Sequence, residues 1–225
     1  MIDERENVSD LEKPSQGTPR PSLVYRFVSY LIVFPIFKIL YRGKTFGNKN
    51  VPIDGPIVVV ANHGSHFDPP LLGHALGRPV AFMAKEELFR IPLISWVISA
   101  CGAYPVRRGA SDREAIRTAT SRLNQGWAIG VFLDGTRQED GRCNKPLAGA
   151  SLLAARSGSY LLPVAIINSH RALGIRSIFP RLVPIHLRIG NPIPPPTSRK
   201  KFELENKTEQ LKRSINSMLD QGINA

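Results

Sequence analysis

Apolar residues are concentrated in short uninterrupted runs, separated by stretches with helical periodicity. Three runs, at residues 57–61, 127–133 and 161–167, are almost wholly apolar, which predicts buried strands. Residues 185–189 are a weaker strand candidate. The intervening segments place apolar residues at helical spacing and predict helices at 69–76, 91–100, 111–125 and 203–220. Strands that alternate with helices predict a single α/β domain, with a mostly parallel or mixed sheet flanked by helices.

An unusual apolar run precedes the first of these strands. Within residues 27–41 only Ser29 and Lys38 are strongly polar, and Pro35 interrupts the run. A helix of this length extends about 22 Å, which is less than the roughly 30 Å of a bilayer's hydrocarbon core. We therefore predict that residues 23–45 form a short apolar helical segment that docks at a membrane interface. A helix buried in the core of the domain is the alternative.

The chain divides into a tail, this apolar segment and a main domain. Residues 1–22 are polar, with five acidic side chains among the first twelve, and are predicted to be a disordered tail. Residues 46–225 form the predicted domain. Cys101 and Cys143 have no metal or redox spacing, and the start of the chain does not resemble a secretory signal. We therefore expect a reducing, cytosolic environment.

Positive charge is strong and unevenly distributed. The formal net charge is +12, and residues 141–202 contain ten Lys or Arg and no Asp or Glu. Such a field attracts anions, which could be an anionic membrane surface, phosphate-bearing substrates or nucleic acid. A solvated basic face that serves solubility is the alternative.

The sequence ANHGSHFDPP, residues 61–70, lies at the end of the first predicted strand, where open α/β sheets place their sites. A turn there can bring the carboxylate of Asp68 to the ring of His63. A carboxylate on one ring nitrogen fixes the tautomer and makes the other nitrogen a better base. Capping of the turn is the alternative. A zinc site with His66 and His74 is disfavoured, because no Cys or Glu stands at ligand spacing.

Residues 132–138, FLDGTRQ, follow the second predicted strand. Asp-Gly-Thr favours a turn in which Gly135 adopts a positive φ and backbone amides point outward. Arg137 beside such amides suits a phosphate group, because guanidinium offers paired donors to its oxygens. A plain turn with a solvated arginine is the alternative.

Further cations stand near predicted element ends. Lys85 lies in AKEELF, and GAYPVRR ends with Arg107 and Arg108. A lysine near a reacting carbonyl could stabilise an oxyanion, and the arginines could hold an anionic substrate. Each of them alone is also consistent with ordinary surface charge.

The succession NHGSHFD, AKEELF, GAYPVRR, FLDGTR and LLPVAI resembles the glycerolipid acyltransferase family, in particular its lysophosphatidate acyltransferases. The resemblance covers residues 51–167, and residues 27–41 are similar to the membrane-docking helical motif of bacterial members. It implies His63 as general base and Asp68 as its orienting partner. The substrate-binding residues that it implies are Lys85, Arg107, Asp134, Gly135, Thr136 and Arg137.

One departure concerns the acceptor site. The family commonly has Phe-Pro-Glu-Gly-Thr-Arg where this chain has Phe-Leu-Asp-Gly-Thr-Arg, so Leu133 replaces a proline and Asp134 a glutamate. Asp134 keeps the charge but is one methylene shorter. The departure leaves the identity of the acceptor open and does not alter His63 or Asp68.

The resemblance implies transfer of a fatty acyl group from acyl-CoA or acyl carrier protein to the free hydroxyl of 1-acylglycerol 3-phosphate. The product is phosphatidate, and the reaction needs no cofactor or metal. The protein is then expected at an anionic membrane, on its cytoplasmic face. Another acceptor, such as glycerol 3-phosphate or a different lyso-lipid, is the nearest alternative. A non-catalytic membrane-surface protein is disfavoured by the intact His63 and Asp68. A nucleic-acid partner is not expected, since the cations are not interleaved with aromatics.

Overall fold

Seven strands join into one sheet in the computed structural model, which describes residues 19–106, 112–175, 177 and 179–223. The order across the sheet is β1-β7-β6-β2-β5-β3-β4, and every neighbouring pair is parallel except β6 with β7. The predicted mixed sheet is therefore confirmed. The strands are β1 (Lys44–Phe46), β2 (Ile57–Ala61), β3 (Val80–Lys85), β4 (Tyr104–Val106), β5 (Ala128–Phe132), β6 (Tyr160–Ile167) and β7 (His186–Ile189).

Helices cover both faces of this sheet. The four predicted after the first strand are found close to their expected positions, although Ser111, predicted to begin one of them, lies outside the described residues. Short 3-10 turns occupy Asn48–Asn50 and Glu86–Arg90. The helices are α1 (Leu23–Leu40), α2 (Asp68–Leu76), α3 (Pro92–Ala100), α4 (Asp112–Asn124), α5 (Gly149–Ser157), α6 (Ser169–Ala172) and α7 (Lys201–Asp220).

The central strand β2 is buried along its whole length because apolar layers lie on both sides of it. Successive strand residues point to opposite faces. Ile57 and Val59 face the layer formed with α1 and α2. Val58 and Val60 face the layer formed with α4, α5 and α7. This double coverage explains why the strands nearest the centre of the sheet are continuous apolar runs.

Helix α1 is attached to the domain along one side only. Phe37 is 1% exposed and packs in the core layer beside α2. The Tyr25 hydroxyl lies 2.8 Å from the carbonyl oxygen of Gly73, and the Ser29 hydroxyl lies 3.0 Å from Nδ1 of His74. His74 therefore serves as an anchor for α1. The apolar segment thus packs on the core with one face and leaves the other exposed.

The apolar helix lies within the segment predicted at 23–45 and begins four residues before the apolar run at 27–41. Its 18 residues, Leu23–Leu40, have a mean hydropathy of 1.8, and 17% of them are buried. By length and composition alone the helix could cross a membrane, although it contains Arg26 and Lys38. Pro35 does not end it, because π-helical turns before and after the proline accommodate the missing N–H donor.

Replacement of Leu162 tests the packing of the central strands. Leu162 lies fully buried in β6 between β2 and β7. Leu162→Ala is expected to lower the free energy of unfolding by about 2–5 kcal/mol, because a cavity remains. Denaturant unfolding followed by circular dichroism measures the change. Phe202→Ala, whose wild-type side chain is 69% exposed, should change it by less than about 0.5 kcal/mol. Equal losses for the two variants would contradict the packing described.

Candidate active site

The parallel strands β2 and β5 end side by side, and the loops that follow them carry most of the predicted site residues. Ala61 pairs with Phe132 in the strand register, and the amide of Leu133 donates to the carbonyl of Ala61 at 2.9 Å. Further along, the amide of Gln138 donates to the carbonyl of His63 at 2.7 Å. The loop after β5 is therefore bonded directly to the backbone of His63.

His63 and Asp68 form the predicted pair. Nδ1 of His63 lies 2.8 Å from Oδ2 of Asp68, and the same oxygen accepts the amides of Gly64 and Ser65, each at 2.8 Å. The Asp68 side chain is fully buried and stands in the first turn of α2, whose N-terminus favours negative charge. Because an ionised carboxylate only accepts, Nδ1 carries the proton. Nε2 is then the unprotonated nitrogen, suited to act as a base.

An aromatic stack fixes one face of the imidazole. The ring of Phe132 lies parallel to that of His63, with centroids 3.8 Å apart and planes 10° from parallel. The ring of Phe82 stacks in turn on the ring of Phe132, with centroids 5.7 Å apart. Gly130 leaves room for this stack, since a Cβ there would collide with the ring of Phe82. The stack holds His63 against rotation and excludes water from that face.

Asn62 is a buried positioning residue that the sequence reasoning missed. It is 1% exposed, and its side-chain amide donates to the carbonyls of Gly141 at 2.7 Å and Ile166 at 2.9 Å. Its oxygen accepts the amide of Ile166 at 2.7 Å. The side chain thus ties the end of β2 to β6 and to the loop after β5. A polar residue directly after a fully apolar strand was the available signal.

His63 opens onto a cavity of about 1290 Å³, larger than the roughly 300–1,000 Å³ of ordinary small-molecule pockets. Its lining is mixed in chemistry. Many of the polar residues lie at or near the strand ends, and α1 and α3 contribute most of their apolar lining residues as aliphatic side chains. The polar lining residues include His63, His66, Lys85, Gly135, Thr136 and Arg137. The apolar lining residues include Val28, Val33, Val97 and Ile98.

The cavity wall carries two cations as well as the carboxylates of Glu86 and Glu114. Lys85 and Arg137 line it, and neither has a hydrogen-bond or ion-pair partner among the residues that the structure describes. Burial and then the charge of Arg137 lower the pKa of His66, with smaller contributions from His63 and Lys85. Lys85 and Arg137 are therefore available to pair with an anionic group of a ligand.

The structure brings together most of the predicted substrate-binding residues, with two exceptions. Gly135 has a φ of +67°, as the sequence predicted for the turn. Asp134 does not line the cavity. It is 8% exposed, and its Oδ2 accepts the amide of Asn144 at 2.8 Å. The carboxylate of Asp134 therefore holds the loop at Asn144, and its predicted contact with substrate stays a prediction. Arg107 lies outside the described residues.

No group of three or more His, Cys, Asp or Glu suited to a metal ion occurs among the described residues. His74, considered with His63 and His66 as a possible ligand, instead contacts α1. Three rings surround it, with centroids at 6.1, 5.6 and 6.2 Å, and burial followed by the charge of Lys38 lowers its pKa. The rings belong to Tyr30, Phe34 and Phe37.

The α/β sheet with a His–Asp pair at its strand ends agrees with a known family. A family model described as Acyltransferase matches residues 44–167, more than half of the chain, and the protein belongs to that family. A solved structure of the 1-acyl-sn-glycerophosphate (LPA) acyltransferase PlsC from Thermotoga maritima shares the fold, with a TM-score of 0.69 and 24% identity. The match covers 89% of this chain and 84% of that one.

Curated proteins similar to this chain are named for two different lipid acceptors. The chain is 31% identical over 144 residues to the chloroplastic 1-acyl-sn-glycerol-3-phosphate acyltransferase LPAT1 of Arabidopsis thaliana, a match to 63% of this chain. It is 34% identical over 122 residues to a lyso-ornithine lipid O-acyltransferase of Pseudomonas aeruginosa, a match to 53% of this chain. These matches span only 39% and 45% of the respective relatives' own lengths.

Asn62→Ala tests the positioning role. The variant leaves the buried carbonyl of Gly141 and the amide of Ile166 without their side-chain partners, at about 1–3 kcal/mol for each unpaired group. We expect kcat for acyl transfer to fall at least about tenfold, because the loop beside His63 shifts. The pH dependence of kcat should stay unchanged, since the hydrogen bond between His63 and Asp68 is kept in the variant.

Steady-state kinetics across a pH series and denaturant unfolding measure these effects. Asn124→Ala, at an exposed position at the end of α4, is the matched control and should alter neither kcat nor stability appreciably. An Asn62→Ala protein with wild-type kcat would show that the three hydrogen bonds do not position the site.

Proposed function

We propose that the protein transfers a fatty acyl group from a thioester to the free hydroxyl of 1-acyl-sn-glycerol 3-phosphate, giving phosphatidate for phospholipid synthesis. The observation that carries the proposal is the position of the His63–Asp68 pair, which lies beside the cationic turn of Arg137 in one large cavity. The Arabidopsis and Thermotoga proteins are named for the same acceptor. Such a substrate combines an anionic head with a long apolar chain, and the cavity offers both environments.

In the proposed reaction Nε2 of His63 removes the proton from the acceptor hydroxyl as its oxygen attacks the thioester carbonyl. Asp68 stabilises the imidazolium that forms. The attack forms the new C–O bond of a tetrahedral intermediate. Collapse of this intermediate restores the carbonyl and breaks the C–S bond, and the imidazolium gives its proton to the leaving thiolate. No acyl-enzyme is required, because the substrate's own alcohol is the nucleophile.

The acceptor's phosphate would bind at the turn after β5. Arg137 offers a planar pair of donors and lines the cavity together with Thr136. The amide of Gly135 instead closes the turn, since it donates to the carbonyl of Phe132 at 3.0 Å. Lys85, at the end of β3, would stabilise the oxyanion or a second anionic group. Binding of this kind orients the hydroxyl toward His63, an effect that can contribute about 7–11 kcal/mol to lowering the barrier.

The donor would be acyl-CoA or acyl carrier protein. Both present phosphate or carboxylate groups to a chain that has ten Lys or Arg and no acidic residue over positions 141–202. The exposed apolar face of α1 would hold the protein on an anionic membrane, at its cytoplasmic side, where lipid acceptor and product reside. A nucleic-acid partner forms no part of the proposal.

A second acceptor class is favoured by one observation. The relative from Pseudomonas aeruginosa is named a lyso-ornithine lipid O-acyltransferase, and it has the higher identity of the two curated relatives described above. The Leu133 and Asp134 departures lie in the turn that would distinguish these acceptors. A lyso-lipid without phosphate would use the same His63–Asp68 pair and differ in its contacts with Arg137.

Removal of the base tests the reaction. His63→Ala and Asp68→Asn are each expected to lower kcat about 10²–10⁴-fold, because proton removal from the hydroxyl is lost or impaired. Transfer of a labelled acyl group from acyl-CoA and from acyl carrier protein to 1-acylglycerol 3-phosphate is measured. Asp54→Asn, at an exposed site in the loop before β2, is the control. A folded His63→Ala protein with wild-type activity would refute the role of His63.

Replacement of Arg137 tests whether the acceptor carries a phosphate that binds at this residue. Arg137→Ala should lower kcat/KM for 1-acylglycerol 3-phosphate about 10–100-fold, the value of a hydrogen bond to a charged group. Activity with 1-acylglycerol, which lacks the phosphate, should change much less. Arg213→Ala, on the exposed side of α7, is the control. Equal losses with both acceptors would argue against a phosphate at Arg137, and wild-type preference for lyso-ornithine lipid would favour the second acceptor class.

A further inference from the structure

Helix α3 is apolar and yet lies on the surface. The segment PLISWVISA contains no charged residue, and none of its nine residues is buried. Leu93 is 72% exposed and Trp96 is 60% exposed. Exposed apolar patches of this kind generally mark a surface that contacts another molecule or a membrane. Nothing in the proposed reaction uses these outward side chains.

The patch adjoins the exposed face of α1. The Ser22 hydroxyl, which caps the start of α1, donates to the carbonyl of Ala100 at the end of α3, at 2.8 Å. The two helices are therefore bonded together at one end. The outward face of α1 carries its own set of large exposed apolar side chains, which are Leu23, Phe27, Tyr30, Leu31, Ile32, Phe34, Ile39 and Leu40.

The two helices also share the cavity. Val28 and Val33 of α1 and Val97 and Ile98 of α3 line the same space that reaches His63. Each helix therefore presents some apolar side chains to the cavity and others to the surroundings. An acyl chain that enters the cavity between the two helices avoids contact with water only if the outer faces of the helices lie in hydrocarbon.

Charge and side-chain type indicate what covers the patch. The neighbouring helix α1 contains Arg26 and Lys38, and the turn just before α3 contains an exposed Arg90, which pairs with Glu86 at 3.9 Å. Tryptophan and leucine next to cations are the composition of helices that lie in the boundary between lipid headgroups and acyl chains. We propose that α3 is a second bilayer contact, in which Leu93 and Trp96 enter an anionic membrane beside α1. The cavity between the two helices then opens directly into lipid.

This inference rests on the proposed membrane-bound reaction but can be tested apart from it. The chain has two tryptophans, so Trp127→Phe leaves Trp96 as the sole indole. Vesicles of phosphatidylcholine with phosphatidylglycerol should shift its emission to the blue, and brominated acyl chains should quench it. Trp96→Phe leaves Trp127, which packs against Gly102 under Arg122 and should be quenched much less. Unchanged Trp96 emission in vesicle-bound protein overturns the proposal, even if α1 docks.

A double variant tests whether the contact of α3 with the bilayer affects the rate of acyl transfer. Leu93→Ser with Trp96→Ser should lower acyl transfer to acceptors embedded in vesicles at least about tenfold, and leave transfer to acceptors dispersed in detergent nearly unchanged. Phe202→Ser removes an equally exposed apolar side chain elsewhere and should affect neither assay. Equal loss in both assays would show that α3 serves the fold or the chemistry instead. A wild type that is inactive in both assays defeats the proposed function, while the quenching result still decides the bilayer contact.

Discussion

The buried carboxylate of Asp68 is the constraint on which the site depends. A charge that is removed from water is costly unless donors replace its hydration. Here one oxygen accepts three donors, the imidazole of His63 and the amides of Gly64 and Ser65. The chain between β2 and α2 must therefore wrap around the carboxylate. This wrapping places the imidazole at the cavity wall and leaves Nε2 as its basic nitrogen.

The same arrangement fixes the neighbouring loop. The carbonyl of His63 accepts the amide of Gln138, and Asn62 binds the carbonyl of Gly141, so both ends of the segment after Arg137 are tied to the backbone beside the base. Phe132 then covers one face of the imidazole. A displacement of either loop would move the base and the cationic turn together. Under the proposed function, this coupling keeps the acceptor's phosphate and hydroxyl at a constant distance from Nε2.

The sequence predicted the features that depend on local or strongly repeated signals. The apolar runs marked β2, β5 and β6, and His63 and Asp68 are near enough in the chain for a single turn to join them. It did not predict β1, β3, β4, α5 or α6. The three residues of β1 and of β4 carry too little pattern, and the small residues of α5 lack clear amphipathicity.

Side-chain roles that depend on distant partners were beyond the sequence. The partner of Asn62 on β6 is 104 residues away, and the amide that captures Asp134 belongs to a loop whose course no periodicity indicates. The family resemblance implied that Asp134 contacts the substrate. Similarity in sequence gives the position of a residue but not the direction of its side chain. Gly135, Thr136 and Arg137 of the same turn do line the cavity, whereas Asp134 does not, and the roles of all four toward substrate stay predictions.

The cavity has a polar region at the strand ends and an apolar wall, and this difference follows from the fold. Loops at the ends of parallel strands supply His63, Thr136 and Arg137, whereas α1 and α3 supply mainly aliphatic side chains. His63 belongs to the polar lining, at the end of β2. A substrate with a charged head and a long chain can then satisfy both regions at once only when its hydroxyl lies between them. Selectivity for such a lipid therefore needs no dedicated recognition of the hydroxyl, because the two flanking environments determine where it lies.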